Sequence, residues 1–460
     1  MQSIRDKSMF VLFVAGLYAA TGGVLYLAAT REYQPVAGFD GIRLTLLILL
    51  MPLLIKYVFQ LACSPFYWIK CRMQSKRMEG HTPSVSVLIP AWNEEIGIVK
   101  TIASVLNTEY ARLQIVVIND GSTDGTHERV VRFIDDYDRT EHAGTAIKYL
   151  NLPNGGKARA MNRALAHAEG DIVITIDADS VMAPDTIANM VKHFDDSSVG
   201  GVAGNVIVGN RKKPIEWMQQ MEYLYGFFFK RADALFNAVY IIGGAAAAYR
   251  RNVLMEMGGF DHSIITEDIE MSTRILSHGY KTRYACDAVV YTEGPSNLKG
   301  LCDQRLRWKY GRIMTFIKHR KLFFSLRRAH NPYLTFAVLP IAVYAELLLL
   351  TEVVMLGVFF AYTIITSDYM PLAFVIALLT AVVGMQIVTD PKVRFHRNLL
   401  WIAPAAWLLF YAVDMVEFQA LVRSLRRLAS GKELKWQKWV RIGVLDNACL
   451  GSPTGLPVLD

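Results

Sequence analysis

The stretch DIVITIDADS, residues 171–180, decides the fold. Its run Ile172 to Ile176 is wholly β-branched and reads as a short strand buried on both faces. Two carboxylates, Asp177 and Asp179, flank one residue at its end. Oxygen ligands in that spacing can hold a hard divalent cation, Mg²⁺ or Mn²⁺. Such a cation can bridge two phosphates that bare carboxylates would repel. An Asp-x-Asp taken alone is more often a solvated turn. Directly after a buried strand, the pair points to a ligand.

The pattern repeats outward from this strand. SVSVLIP (84–90), QIVVIND (114–120) and AIKYLNL (146–152) are three more strand-length runs, separated by helical stretches. The alternation predicts a parallel, doubly wound α/β sheet. Ligands of such sheets bind outside the carboxyl ends of the strands. Asn93, Asp120, Lys157, Asp177 and Asp179 all fall at or just after those ends. Lys157 follows two glycines and can reach a phosphate as a point charge, although in isolation it reads as a solvated loop lysine. Neither GxxxxGK[ST] nor a GxGxxG at a strand end is present, which disfavours a nucleoside triphosphatase or a dinucleotide enzyme.

Two further motifs lie downstream. Thr266-Glu267-Asp268 sets adjacent acids after the turn GGFDHS. One of them can act as general base toward a hydroxyl. Equally, Thr266 followed by acids suits a helix N-terminus. Gln304-Arg305-Leu306-Arg307-Trp308 joins an amide, two cations that match phosphate oxygens and an indole that suits the apolar face of a sugar. The bland alternative is a basic amphipathic helix lying on a membrane, with the indole at headgroup level.

Composition sets the frame for these motifs. Of 460 residues, 53% are hydrophobic and only 20% charged, too apolar for a soluble enzyme and too unevenly charged for a wholly embedded protein. Met9 to Thr30 carries no charge and reads as a membrane anchor. Leu44 to Cys63 is a second span, in which Lys56 either snorkels to the interface, the favoured reading, or lines a polar path. Lys70, Arg72, Lys76 and Arg77 then place the following block in the cytoplasm, where Arg5 and Lys7 also fit.

The resulting division is 1–69 with two transmembrane helices, 70–310 as the catalytic domain and 311–331 as an interfacial helix. Residues 332–422 carry three or four further spans, and 423–460 form a basic tail containing WQKWVR. Pro332–Ser367 reads either as one span preceded by an interfacial helix that breaks near Pro340, or as a hairpin. The basic segments PKVRFHR (391–397) and Arg423 to Arg441 both call for the cytoplasm although one apparent span separates them. Glu346 and Glu352, inside an apolar run, mark either a polar path or an interface. The five cysteines, Cys63, Cys71, Cys286, Cys302 and Cys449, form no CxxC pair and read as reduced thiols rather than disulfides or a zinc site. The net charge of +8 sits largely beside the apolar segments, which suits anionic lipid and donor phosphates better than nucleic acid.

Asp120 in NDGSTDG, Asp179 in DAD, Asp268 in TED and QRLRW at 304–308, in this order and between these spans, resemble the processive, inverting family-2 glycosyltransferases of membranes. That group includes cellulose, chitin, hyaluronan and poly-N-acetylglucosamine synthases. The two leading spans, QRLRW and the short tail look most like the bacterial poly-β-1,6-N-acetylglucosamine synthases.

The resemblance implies a GT-A-like domain with a doubly wound mixed sheet, inserted between N- and C-terminal transmembrane helices. It implies a UDP-sugar donor, a polysaccharide acceptor, membrane lipid around the helices, and room for a small membrane partner subunit. It also implies a bacterial inner membrane with the domain in the cytoplasm. By residue, Pro90, Asn93 and Glu94 line the nucleoside site, Asp120 contacts the base and Lys157 the donor phosphates. Asp177 lies against the donor and Asp179 coordinates Mg²⁺ or Mn²⁺. Gln304, Arg305 and Arg307 hold the diphosphate, and Asp268 is the base. Trp308 stacks on the acceptor sugar, with Glu267, Gly243 and Gly244 beside it. IIGGAAAAYR (241–250) departs from the Ser-Gly or Cys-Gly form of that acceptor loop. Two rivals stand beside this reading: a membrane β-glucosyltransferase, making a polymer or a single-sugar lipid, and a non-enzymatic scaffold or transporter.

Overall fold

The computed structural model describes residues 2–32, 40–77, 82–137, 145–432, 434, 441 and 443. Cys449, most of WQKWVR, and the side chains of Arg5, Lys7, Arg72, Lys76 and Arg77 lie outside the described residues. The strands are β1 (Val85–Ala91), β2 (Leu113–Asp120), β3 (Ala146–Leu152), β4 (Ile172–Thr175), β5 (Val181–Met182), β6 (Val199–Val208), β7 (Ala247–Arg250) and β8 (Lys281–Thr292). The helices are α1 (Gln2–Thr30), α2 (Asp40–Cys63), α3 (Phe66–Arg77), α4 (Ile98–Leu106), α5 (Thr126–Asp136), α6 (Lys157–Leu165), α7 (Thr186–Val191) and α8 (Pro214–Leu235). They continue with α9 (Arg251–Glu256), α10 (Glu267–Ser277), α11 (Leu298–Lys318), α12 (Leu339–Thr366), α13 (Met370–Thr389), α14 (Arg397–Ile402) and α15 (Ala406–Ala429).

The strands make one sheet in the order β3-β2-β1-β4-β7-β6-β8-β5. β1 to β4 pair in parallel, and β7 runs antiparallel to both β4 and β6, so the sheet is mixed. Alternate residues feed two cores, as a sheet covered on both faces requires. Val87, Ile89, Val117 and Ile174 pack on one face with Ile98, Ile102 and Val105 of α4. Leu88, Val116, Ile118 and Val173 pack on the other with Met161 and Leu165 of α6. Each such side chain contributes roughly 1.5–3 kcal/mol of burial. β4 stops earlier than its apolar run suggests, because the chain turns where Ser180 N–H donates to the Asp177 carbonyl (3.0 Å). That turn holds the two aspartates just past the carboxyl end of β4, in the middle of the sheet.

Among the described residues, five helices are long and apolar enough to cross a membrane: 10–30, 40–63, 334–366, 370–389 and 397–429. Residues 334–366 are one element rather than a hairpin. Its first turn, Leu334–Val338, is π-helical, and Pro340 opens α12 where its missing N–H costs least. Lys56 does not snorkel outward; it is half-buried and faces a cavity with Gln60 and Asp233.

Phe395 packs on Tyr291, and its carbonyl accepts from Arg211. At the other end of 397–429, Glu417 pairs with Arg305 and Arg423 with Asp303. Both ends of this stretch therefore pack against the sheet domain.

α10 and α11 are clamped together. Gly311 lets α11 approach so closely that a Cβ there would meet the Thr266 side chain at 2.2 Å. Thr266 is the N-cap of α10 by position, but its side chain makes no capping bond, being pressed against that glycine. Fully buried Glu270 binds Lys318 (2.6 Å), His319 (3.0 Å) and Arg274. Burial alone would raise its pKa; these partners outweigh it and lower it to about 2. A depressed carboxylate contributes stability above its unfolded pKa and loses it as pH falls toward the folded value. Glu270→Gln is therefore expected to cost about 3 kcal/mol at pH 7. The difference from wild type should shrink between pH 4.5 and 2 in thermal unfolding scans.

Candidate active site

Strand ends and helix starts converge on one cavity of 1660 Å³. At one end, Asp120 closes β2. Its carboxylate accepts the N–H groups of Gly155 (2.8 Å) and Gly156 (2.9 Å), and its carbonyl accepts from Asn154 (2.9 Å). Gly121 and Gly156 both have positive φ, which this loop-on-loop contact requires. Across it, Asn93 holds a left-handed backbone. Its N–H donates to Ser122 Oγ (2.8 Å), and its side-chain oxygen accepts from Thr123 N–H (2.7 Å). Pro90 and Glu94 line the same end.

The centre is a charge cluster. Lys157 opens α6 and reaches Asp177 (2.6 Å) and Glu267 (3.2 Å) together. Burial opposes the Asp177 charge, but Lys157 more than offsets it and holds that carboxyl below its usual range. Burial pushes Glu267 up. Asp268 accepts from Gly244 N–H and Ile269 N–H, both at 2.8 Å. A Cβ on Gly244 would stand 3.1 Å from the Lys157 amine and 3.5 Å from Asp268, so the glycine keeps this centre open. Gly243, Gln304, Arg307 and Trp308 line the same space. Burial lowers the Arg307 pKa, against attraction from Glu267 and Asp177.

The donor set at Asp177 and Asp179 fits a hard cation. Each carboxylate already faces a positive group, Lys157 on Asp177 and Arg441 on Asp179 (2.6 Å), so positive charge is what the place is built for. Among the described residues no cluster of three metal-ligating side chains forms, so diphosphate and water would complete a shell.

Several residues here escaped the sequence reading. Arg441, from the tail, bonds Glu94 (3.2 Å) as well as Asp179, and Gly443 N–H donates to Glu293 (2.9 Å). The basic tail was visible; its reach was not. Arg305 is turned from the diphosphate place toward Glu222 (2.7 Å) and Glu417 (3.5 Å). Glu346 is the counter-ion of Lys309 (2.7 Å) and Arg312. Glu352 faces Asp414, and both line the cavity where it passes between α2, α12 and α15.

This architecture is a GT-A-like glycosyltransferase fold. The mannosyltransferase PcManGT from Pyrobaculum calidifontis, solved in complex with GDP-Man and Mn²⁺, superposes with a TM-score of 0.52 at 23% identity, covering 84% of this chain and 100% of that one. Residues 83–311 match the glycosyltransferase like family 2 model. This segment thus resembles a family-2 glycosyltransferase domain in both sequence and fold. The poly-beta-1,6-N-acetyl-D-glucosamine synthase of Staphylococcus epidermidis is 31% identical over 244 residues, 52% of this chain and 56% of that protein. The synthase of the same name in Staphylococcus aureus (strain COL) is 32% identical over 231 residues, 49% of this chain and 54% of that protein. The chain spans about half the length of these curated relatives.

Lys157→Met removes the cation that two carboxylates share. Its side chain is one-fifth exposed, so the expected loss is ~1–3 kcal/mol rather than the full cost of orphaning a buried pair. A melting temperature unchanged from wild type would show that the cluster is not held by Lys157.

Proposed function

We propose that the chain transfers N-acetylglucosamine from UDP-N-acetylglucosamine, with inversion, to a growing β-linked polysaccharide, and passes the product through its own membrane helices. The observation that carries this is the continuity of one cavity. It runs from Asp120 past Asp268 and Trp308 to Leu50, Lys56, Glu352 and Asp414. The relatives named as poly-beta-1,6-N-acetyl-D-glucosamine synthases support the choice of sugar. The setting is a bacterial inner membrane with the catalytic domain on the cytoplasmic side.

In this reading Pro90, Glu94 and Asp120 receive the nucleoside, with Asn93 holding the adjoining loop through Thr123, and Lys157, Gln304 and Arg307 hold the diphosphate. Asp179, with Asp177 beside it, holds Mg²⁺ or Mn²⁺, which when bound neutralises charge growing on the leaving diphosphate. Asp268 takes the proton from the acceptor hydroxyl as that oxygen attacks the anomeric carbon from the face opposite the diphosphate. The new C–O bond forms as the bond to phosphate breaks, and UDP carries the electron pair away. One displacement turns an α-linked donor into a β-linkage. Trp308 offers its indole to the acceptor sugar, with Glu267, Gly243 and Gly244 around it.

Membranes containing the chain are expected to convert labelled UDP-N-acetylglucosamine into a high-molecular-weight product only when Mg²⁺ or Mn²⁺ is supplied. A product that extracts wholly into organic solvent as a single-sugar lipid sinks the polymer reading, and transfer only from UDP-glucose corrects the donor. Asp268→Asn should abolish transfer while UDP affinity stays within about twofold, since its task is proton removal. Arg441→Ala should tighten Mn²⁺ binding by up to about tenfold in a titration followed by electron paramagnetic resonance, because Asp179 loses a competing cation.

A further inference from the structure

Arg305 occupies an unusual position in the QRLRW run. It lies three residues before Trp308 on α11, so the two side chains share a helix face. Its guanidinium carbon sits 4.3 Å from the centre of the Trp308 ring, flat-contact distance for a cation on an indole. The side chain is only 3% exposed. Its hydrogen-bonding edge goes to Glu222 on α8 (2.7 Å) and Glu417 on α15 (3.5 Å). Burial opposes its charge, yet these two carboxylates raise its pKa above the ordinary value. A guanidinium with two carboxylate partners and an aromatic ring on its face has little left to offer a diphosphate. Arg307, two residues on, lies instead in the field of Asp177, Glu267 and Asp268.

The anchor continues into the apolar helices. Lys309 joins Glu417 (2.8 Å) to Glu346 on α12 (2.7 Å), and Arg312 also binds Glu346. Tyr223, next to Glu222, lies 6.3 Å centre to centre from the Trp308 ring. The indole is thus backed by a cation whose place is fixed by α8 and α15. Trp308 itself is half-buried and lines the cavity.

We propose that Arg305 is a positioning residue: it braces the Trp308 indole against Glu222 and Glu417, and so couples the orientation of the acceptor-sugar platform to α15. This rests on the glycosyltransferase reading only for the sugar on the platform, not for the brace.

The test uses the full chain in lipid nanodiscs, labelled with 5-fluorotryptophan. The Trp308 resonance is assigned by its loss in Trp308→Phe. Arg305→Lys keeps the charge but removes the planar fork, and Glu417→Gln removes one anchor on another helix. Both are expected to shift or broaden that resonance while leaving the other tryptophans in place. In transfer assays both should raise the KM for an oligosaccharide acceptor about tenfold, the scale of one stacking contact, with UDP affinity unchanged within about twofold. An unmoved Trp308 resonance in both variants overturns the brace. Weakened UDP binding with an unchanged acceptor KM overturns it too, and makes Arg305 a diphosphate ligand. Wild-type protein that transfers no sugar at all would remove the enzymatic reading, while the fluorine spectra still decide the brace.

Discussion

Lys157 holds Asp177 and Glu267 with one amine, and the rest of the centre is arranged around that shared charge. A buried Glu267 beside a half-buried Asp177 would be costly without a cation, and the cation without them equally so. The amine must therefore start α6 just where β4 ends and α10 begins. Gly244 is bare because any side chain would enter the space between Lys157 and Asp268. The loop of Gly155 and Gly156, wrapped onto the Asp120 carboxylate, delivers Lys157 to its place. A donor diphosphate arriving here meets positive groups already oriented by the protein's own acids.

The same logic extends toward the membrane in a second series. Glu222, Arg305, Glu417, Lys309, Glu346 and Arg312 alternate in sign across four helices. Each charge in this series has at least one opposite neighbour, which is how a buried polar wall persists in apolar surroundings. It runs alongside the cavity rather than across it, so the path stays open while the helices stay joined.

How much of this the sequence disclosed follows from the range of each interaction. β3, an exposed edge strand, is marked by its alternation, whereas β1 and β2 lie within a residue of their apolar runs, because a strand covered on both faces announces itself by composition alone. The position of Asp177 and Asp179 at a strand end was legible for the same reason. β6, β7 and β8 were less so: β6 begins Val-Gly-Gly, and its pairing partner is set by the fold, not by its own pattern. Arg441 and Glu94 are hundreds of residues apart, and nothing local in either marks the other. Arg305 was misdirected by its neighbours: an arginine inside a phosphate-binding run reads as another clamp, and only the meeting of α8, α11 and α15 shows where it points. Glu346 was legible as anomalous in an apolar stretch, but its partners lie on α11, beyond any helical spacing.

The paired arrangement of the apolar helices bears on how such a chain is made. Arg31, just past the end of α1, pairs with Asp368 in the turn between α12 and α13 (3.0 Å), and α1 packs along α13. α2 packs along α12 in the same way, so the two leading helices pair with the two later ones rather than with each other. Each leading helix thus finds its packing partner hundreds of residues further on, so the apolar helices can assemble only once the whole sheet domain between them has been made.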